Sequence, residues 1–272
     1  MAEIALKNRI EMTRLQQVAL KAFSLFRDLR LRDVEEQPTE ELDRLVQRFL
    51  TRHGMQSALR GYRDYPAHSS VSCNEVAIHG VPGSRRIVRG DVFTLDVAAT
   101  GGGWVADSAW TYLMPGSSHR SKNEYTAAWT AFSGLVRSLH RGMTLADLSR
   151  NSEQQAQAQG LSIVSAFTGH GIGRSLHEPP VISFVAGDQR YQERAAQIRL
   201  ETGMVFNVEP VYCAGEAAME PSPDGWGFRT RDKSRTYHFE LTVAVREDYP
   251  VIMQFGGLPV ADLPGTVPFG LL

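Results

Sequence analysis

The sequence predicts an α+β domain made of two similar halves. Three observations carry this. Helical texture occurs twice, over residues 4–54 and 122–160, each time as a pair of helices. Each pair is followed by short β-like stretches with Gly and Pro punctuation, from residue 60 and again from Gly160 to about residue 246. The second helix of each pair, over 39–54 and 144–160, has nearly the same length. No Pro/Gly/Ser-rich linker divides the halves, about 5–115 and 120–246. Residues 1–255 are therefore expected to pack as one domain, with 256–272 as a tail over the surface.

Each helix has its own warrant. Over residues 4–30, Leu15, Val18, Ala19, Ala22 and Phe26 are spaced for one face. Thr39 stands where an N-cap belongs and Gly54 where a helix stops. Between them Leu42, Leu45, Val46, Phe49 and Leu50 follow the spacing of a half-buried helix. In the second pair, Tyr125, Trp129, Phe132, Leu135 and Val136 mark the long helix. Thr144 and Gly160 bracket the short one.

Composition sets outer bounds. The chain of 272 residues carries 29 Lys+Arg against 30 Asp+Glu, a net charge of -1, which argues against nucleic acid as the main ligand. Two cysteines, Cys73 and Cys213, make neither a disulfide framework nor a thiolate metal site. No run reaches the ~18 apolar residues of a membrane span, and no apolar signal core opens the chain. The expectation is a soluble, cytoplasmic, monomeric protein with no membrane partner.

The strands carry the chemistry. In residues 91–107, Phe93, Leu95 and Val97 alternate with Thr94, Asp96 and Ala98, as in a half-buried strand. The Gly cluster at 101–103 signals a hairpin. With Gly101-Gly102 as the loop, Asp96 lies directly opposite Asp107. Facing carboxylates repel, so this register calls for a shared proton or a cation between them. A longer loop with one solvated Asp is the alternative that the hairpin alone leaves open. In the second half, Glu209 shares a strand face with Asn207 and Val205, and Glu240 shares one with His238 and Thr242. An acid inside so apolar a strand is costly to bury unpaired. Taken alone Glu240 reads as an ion-paired core residue, but each half supplies two such acids.

The histidines complete the set. His79 ends an apolar strand at a turn, and His170 and His177 lie in Gly-His-Gly-Ile-Gly-Arg-Ser-Leu-His-Glu-Pro-Pro over 169–180. The glycines around His170 permit close backbone approach. This loop lacks the Lys of a P-loop and the full dinucleotide fingerprint. His53, His68, His119 and His140 read as structural.

Taken in order, residues 72–82, the pair Asp96 and Asp107, residues 169–180, Gly-Met-Val-Phe-Asn-Val-Glu-Pro at 203–210 and His-Phe-Glu-Leu-Thr at 238–242 resemble the type I methionine aminopeptidases. These belong to the creatinase-like, "pita-bread" superfamily, and the resemblance runs from about residue 5 to 250. It implies a curved antiparallel sheet covered by two helix pairs, with pseudo-two-fold duplication. It implies two divalent ions held by Asp96, Asp107, His170, Glu209 and Glu240, with Asp107 and Glu240 bridging. His79 matches a histidine that contacts the substrate amide, and His177 one near the scissile carbonyl. Tyr62, Tyr65, Leu176 and Trp226 align with the pocket for the N-terminal side chain. The implied partner is a peptide or nascent-chain N-terminus, with the ribosome as a further candidate.

The chain also departs from the family pattern. The last ligand strand usually reads Glu-His-Thr after a Gln-aromatic pair; here Leu241 follows the acid and His238 precedes it by two. Ala98 replaces a usual Thr, and Lys-Pro-Gly turns are absent. Leu59 and Ser70 stand where cysteines are common.

Four carboxylates and an imidazole, without thiolate, suit Mn, Fe or Co, and also Zn. The chemistry implied is hydrolysis of the first peptide bond. Glu209 relays the proton, His177 stabilises the oxyanion and His79 binds the amide nitrogen. Two other readings compete. One is a divergent superfamily member acting on another substrate, by Xaa-Pro cleavage or peptide-product tailoring. The other is a binding module without catalysis, which the retention of all five ligands and both histidines argues against.

Overall fold

The structure is a computed structural model and describes residues 3–266. Its first helix pair is α1 (Arg9–Asp28) and α2 (Thr39–Arg52); its second is α3 (His119–Ser138) and α4 (Leu145–Ala158). Each pair consists of a 20-residue and a 14-residue helix. A fifth helix, α5 (Gln189–Ala195), lies in a stretch expected to be β-like. Its only buried residue is Ala195, so no apolar period marks it, and Asp188 caps it by accepting from Arg190 and Tyr191.

Capping fixes where the helices begin. α1 starts at residue 9 rather than 4 because Asn8 and Glu11 form a reciprocal capping box. Thr144 caps α4 as expected, with Asp147 returning the bond. Thr39 does not cap α2. It is the first residue of the helix, after Pro38, and its hydroxyl exchanges hydrogen bonds with the Gly83 backbone instead. The threonine ties α2 to a distant loop, a use that local sequence does not reveal.

Antiparallel strands form the other layer, in four hydrogen-bonded sheets among the described residues. The hairpin of Val92–Gly101 and Trp104–Leu113 is paired along its whole length, and Ser70–Cys73 flanks it. In the second half, Leu241–Val245 lies between Val205–Val208 and Pro250–Ile252, and Thr168–Gly171 joins Val205–Val208. The two halves meet where the Glu240 N–H donates 2.9 Å to the Ala109 carbonyl.

The hairpin turn differs from the expected one. Gly101 pairs with Trp104, so the loop is Gly102-Gly103. Both have positive φ, +58° and +76°, as a tight two-residue turn requires at both central positions. The register shifts by two as a result. Ala98 faces Asp107 and Asp96 faces Ala109, so the acids are diagonal neighbours rather than directly opposed. They keep a common face because the shift is even.

The core orients the site. Phe239, fully buried, contacts Trp110, Trp129, Tyr125 and Phe132 at ring-centroid distances of 5.2 to 5.7 Å. Three of those rings belong to α3. The ring cluster anchors Phe239, and the neighbouring Glu240 is thereby turned to the other face. The tail is less superficial than expected. Val260 and Leu263 are buried, and the Pro264 carbonyl accepts from the Trp129 indole at 3.2 Å. Residues 267–272 of the expected tail lie outside the described residues. No described helix is long and apolar enough to cross a membrane.

Phe239→Ala should remove about 3–5 kcal/mol of stability, the usual cost of emptying a large aromatic site. Urea unfolding of the two proteins measures it. A loss below about 1 kcal/mol would show that the ring cluster does not hold this strand.

Candidate metal centre

Five side chains from both halves converge on one cavity of about 350 Å³. Asp96 and Asp107 come from the hairpin, His170 from Thr168–Gly171, Glu209 from just after Val205–Val208, and Glu240 from the break before Leu241–Val245. Ligand atoms of Asp107, His170 and Glu240 lie within 4.8 Å of one another. His170 Nε2 is 3.3 Å from Glu209 Oε1. The glycines beside His170 are there for space. A Cβ on Gly169 would meet the Asn207 carbonyl at 2.5 Å, and one on Gly171 the Pro179 carbonyl at 2.1 Å.

The acids are buried together, and this dominates their electrostatics. Asp96, Asp107 and Glu240 are 8%, 6% and 2% exposed. Loss of solvent pushes Asp107 up to about 7. Burial, then repulsion from Asp107, raises Asp96 well above the carboxylate range. Glu209 and Glu240 rise likewise, from burial first and neighbouring carboxylates second. Burial also lowers His170 to about 4 and keeps it neutral at pH 7. Four acids that resist ionisation, beside a neutral imidazole, form a donor set for divalent cations. Glu209 Oε1 is buried with no hydrogen-bond partner, as expected of an atom shaped for a ligand.

A polar layer behind the acids aims them. Asn207 donates to Glu240 at 2.7 Å and accepts from the Thr242 hydroxyl at 2.8 Å. Gln254 donates to the Asp107 backbone carbonyl at 3.0 Å and accepts from the Thr242 N–H. Sequence reading missed Gln254. It lies fourteen positions beyond Glu240 in a short helical turn, and no local pattern marks it. The same reading noted His238 only as an oddity. Its ring is 1% exposed, and a ring nitrogen clusters with Glu209 and Glu240.

The other expected residues also line the cavity. Tyr62, Tyr65, Leu176 and Trp226 form its apolar wall, with Leu59, Ile78 and Phe228, and Ser70 adds a hydroxyl to the lining. Trp226 meets Tyr65 edge-on at 5.3 Å, and the Tyr65 hydroxyl donates to the Gly80 carbonyl at 3.1 Å. His79 and His177 stand at the open side, where both are exposed. His79 takes φ +59°, a left-handed strain uncommon outside glycine and frequent at functional sites. His177 stacks on Tyr62 and lies 4.1 Å from the His170 ring, centroid to centroid.

These shifts set a pH dependence for the metal-free protein. Buried His170 and His238, lowered to about 4 and about 3, bind fewer protons folded than unfolded, so they favour rising pH up to about 6.5. The raised carboxylates bind more protons folded, and they oppose it. Above pH 6.5 only the carboxylates still act. The metal-free protein should therefore lose thermal stability as pH rises from about 6.5 to 8. Saturating Mn²⁺ should abolish that slope. A flat apo profile over this range would contradict the electrostatic assignment.

The comparisons with known proteins agree with this geometry. The family model described as metallopeptidase family M24 matches residues 11–247. Methionine aminopeptidase 1 of Bacillus subtilis is 32% identical over 209 residues, covering 77% of this chain and 82% of that one. The methionine aminopeptidase of Clostridium perfringens is 31% identical over 215 residues, covering 79% and 84%. The crystal structure of methionine aminopeptidase from Rickettsia prowazekii superposes with a TM-score of 0.86 at 27% identity, over 93% of this chain and all of that one. Sequence family, fold and the cluster of buried donors thus coincide, and the chain belongs to metallopeptidase family M24.

Proposed function

We propose that this chain is a metal-dependent aminopeptidase that removes the N-terminal methionine from peptides and nascent proteins. One observation carries the reading. A buried set of four carboxylates and an imidazole opens directly onto an aromatic pocket within the same cavity. Similarity to named methionine aminopeptidases favours it over a divergent amide hydrolase.

Asp96, Asp107, His170, Glu209 and Glu240 would hold two divalent ions. The oxygen-rich set suits Mn, Co or Fe, and also Zn. When bound, such ions polarise the scissile carbonyl and acidify water. The chain's own groups do the rest. Glu209, with one carboxylate oxygen unpartnered, accepts a proton from the attacking water and returns it to the leaving amine. His177 at the open side donates to the carbonyl oxygen as it gains charge. His79 binds the amide nitrogen and assists departure of the amine. Tyr62, Tyr65, Leu176 and Trp226 grip the methionine thioether, which packs well against aromatic edges. Residues 1–255 act as one catalytic unit. Both cysteines are buried and free, in keeping with a cytoplasmic enzyme.

Incubation of Met-Ala-Ser with Mn²⁺- or Co²⁺-loaded protein should release free methionine. A norleucine analogue should be cleaved within about 200-fold of the methionine substrate, because apolar pockets discriminate such changes by only about 1–3 kcal/mol. Asp107→Ala should abolish both tight metal binding and turnover. Confirmed metal binding with no methionine release would redirect the activity to another amide substrate.

A further inference from the structure

One group beside Glu209 and Glu240 has no part in the chemistry above. His238 is 1% exposed, and its Nε2 is buried without a hydrogen-bond partner. Buried polar atoms are rarely left so unless something absent from the protein chain completes them. The ring also faces two acids. A His238 nitrogen and carboxylate oxygens of Glu209 and Glu240 all lie within 4.8 Å of one another. Glu209 itself carries an unpartnered oxygen, Oε1. A neutral imidazole has one N–H, and its other nitrogen presents a lone pair.

Two carboxyl groups and a lone pair are acceptors that repel one another unless a proton or a cation lies among them. A ring N–H aimed at either carboxylate would form a short, charge-assisted hydrogen bond, and His238 makes none with them. The strand geometry holds the ring in place. His238 ends Thr236–His238, pairs with Val211, and exchanges backbone hydrogen bonds with the Thr111 hydroxyl.

We propose that His238 is a direct ligand to a divalent ion held with Glu209 and Glu240. The proposal rests on the metal-dependent reading above and extends its donor set. Two donor groups share Glu240, one with Asp107 and His170 and one with Glu209 and His238, and Glu209 Oε1 also lies 3.3 Å from His170 Nε2. His238 adds a second imidazole to the five-residue set. A second nitrogen donor in the set shifts preference from Mn²⁺ toward later metals such as Co²⁺ and Zn²⁺.

The test reads each histidine separately. Protein with ¹⁵N-labelled histidine is stripped of metal and titrated with Zn²⁺ to two equivalents, and ring nitrogens are followed by NMR. His238→Gln and His170→Gln assign the signals, and His53, His68, His119 and His140 serve as controls. The expected result is loss of the lone-pair nitrogen signal from both His170 and His238, with the controls unmoved. Calorimetry should show one of two Zn²⁺ sites weakened at least about tenfold in His238→Gln, the lower end for losing even an outer-sphere partner. A shift confined to His170 would overturn the inference and leave the metal-dependent reading standing. Weakened binding in His238→Gln with no change at the wild-type His238 nitrogens would also overturn it, since the ring would then act only through Glu209. Absence of any Zn²⁺ binding would overturn both. Where a variant fails to fold, the wild-type spectrum is read by number: lone-pair signals lost from two histidines support the inference, and loss from one overturns it.

Discussion

Crowding of acidic groups in one water-poor cavity governs this molecule. Asp96, Asp107, Glu209 and Glu240 are removed from solvent and set within reach of one another, and each is driven toward its neutral form. An isolated buried carboxylate is costly, and several together are worse. Divalent cations reverse the sign of that interaction, since the ion is the largest local charge. The rest of the fold brings these acids together and prevents them from turning away.

Two kinds of support do this. On the apolar side, Phe239 is clasped by Trp110, Trp129, Tyr125 and Phe132, which commits Glu240 to the opposite face. On the polar side, Asn207, Thr242 and Gln254 form a hydrogen-bonded layer that reaches both Glu240 and the Asp107 backbone. Such outer partners orient ligands and tune their basicity. Leu241 follows Glu240 and packs fully buried opposite Val208. The polar contact that a hydrophilic neighbour could supply comes instead from Asn207 and Gln254. His238 then places a nitrogen donor beside Glu209, on the other side of Phe239 in the strand.

Much of the site was legible in residue order. Alternation placed Asp96, Asp107 and Glu240 on polar faces of otherwise apolar strands, and glycines flanking His170 announced close approach. Period-3.6 patterning found the four long helices because each buries one face. It missed α5, which buries only Ala195 and so leaves no periodic trace. The hairpin turn was misplaced by one residue because three consecutive glycines offer the same local chemistry. Thr39 was misassigned as a cap because its partner, Gly83, lies 44 positions away.

The sequence by itself determined which groups are the candidates for the chemistry and on which face of each strand they stand. Periodicity is a local property, and it survives without the rest of the chain. Only the tertiary structure decided which donors share one cavity and which remain without a partner. Gln254 and His238 acquire their roles from residues far away along the chain, and the raised acid pKa values exist only once burial has removed water from all four acids together.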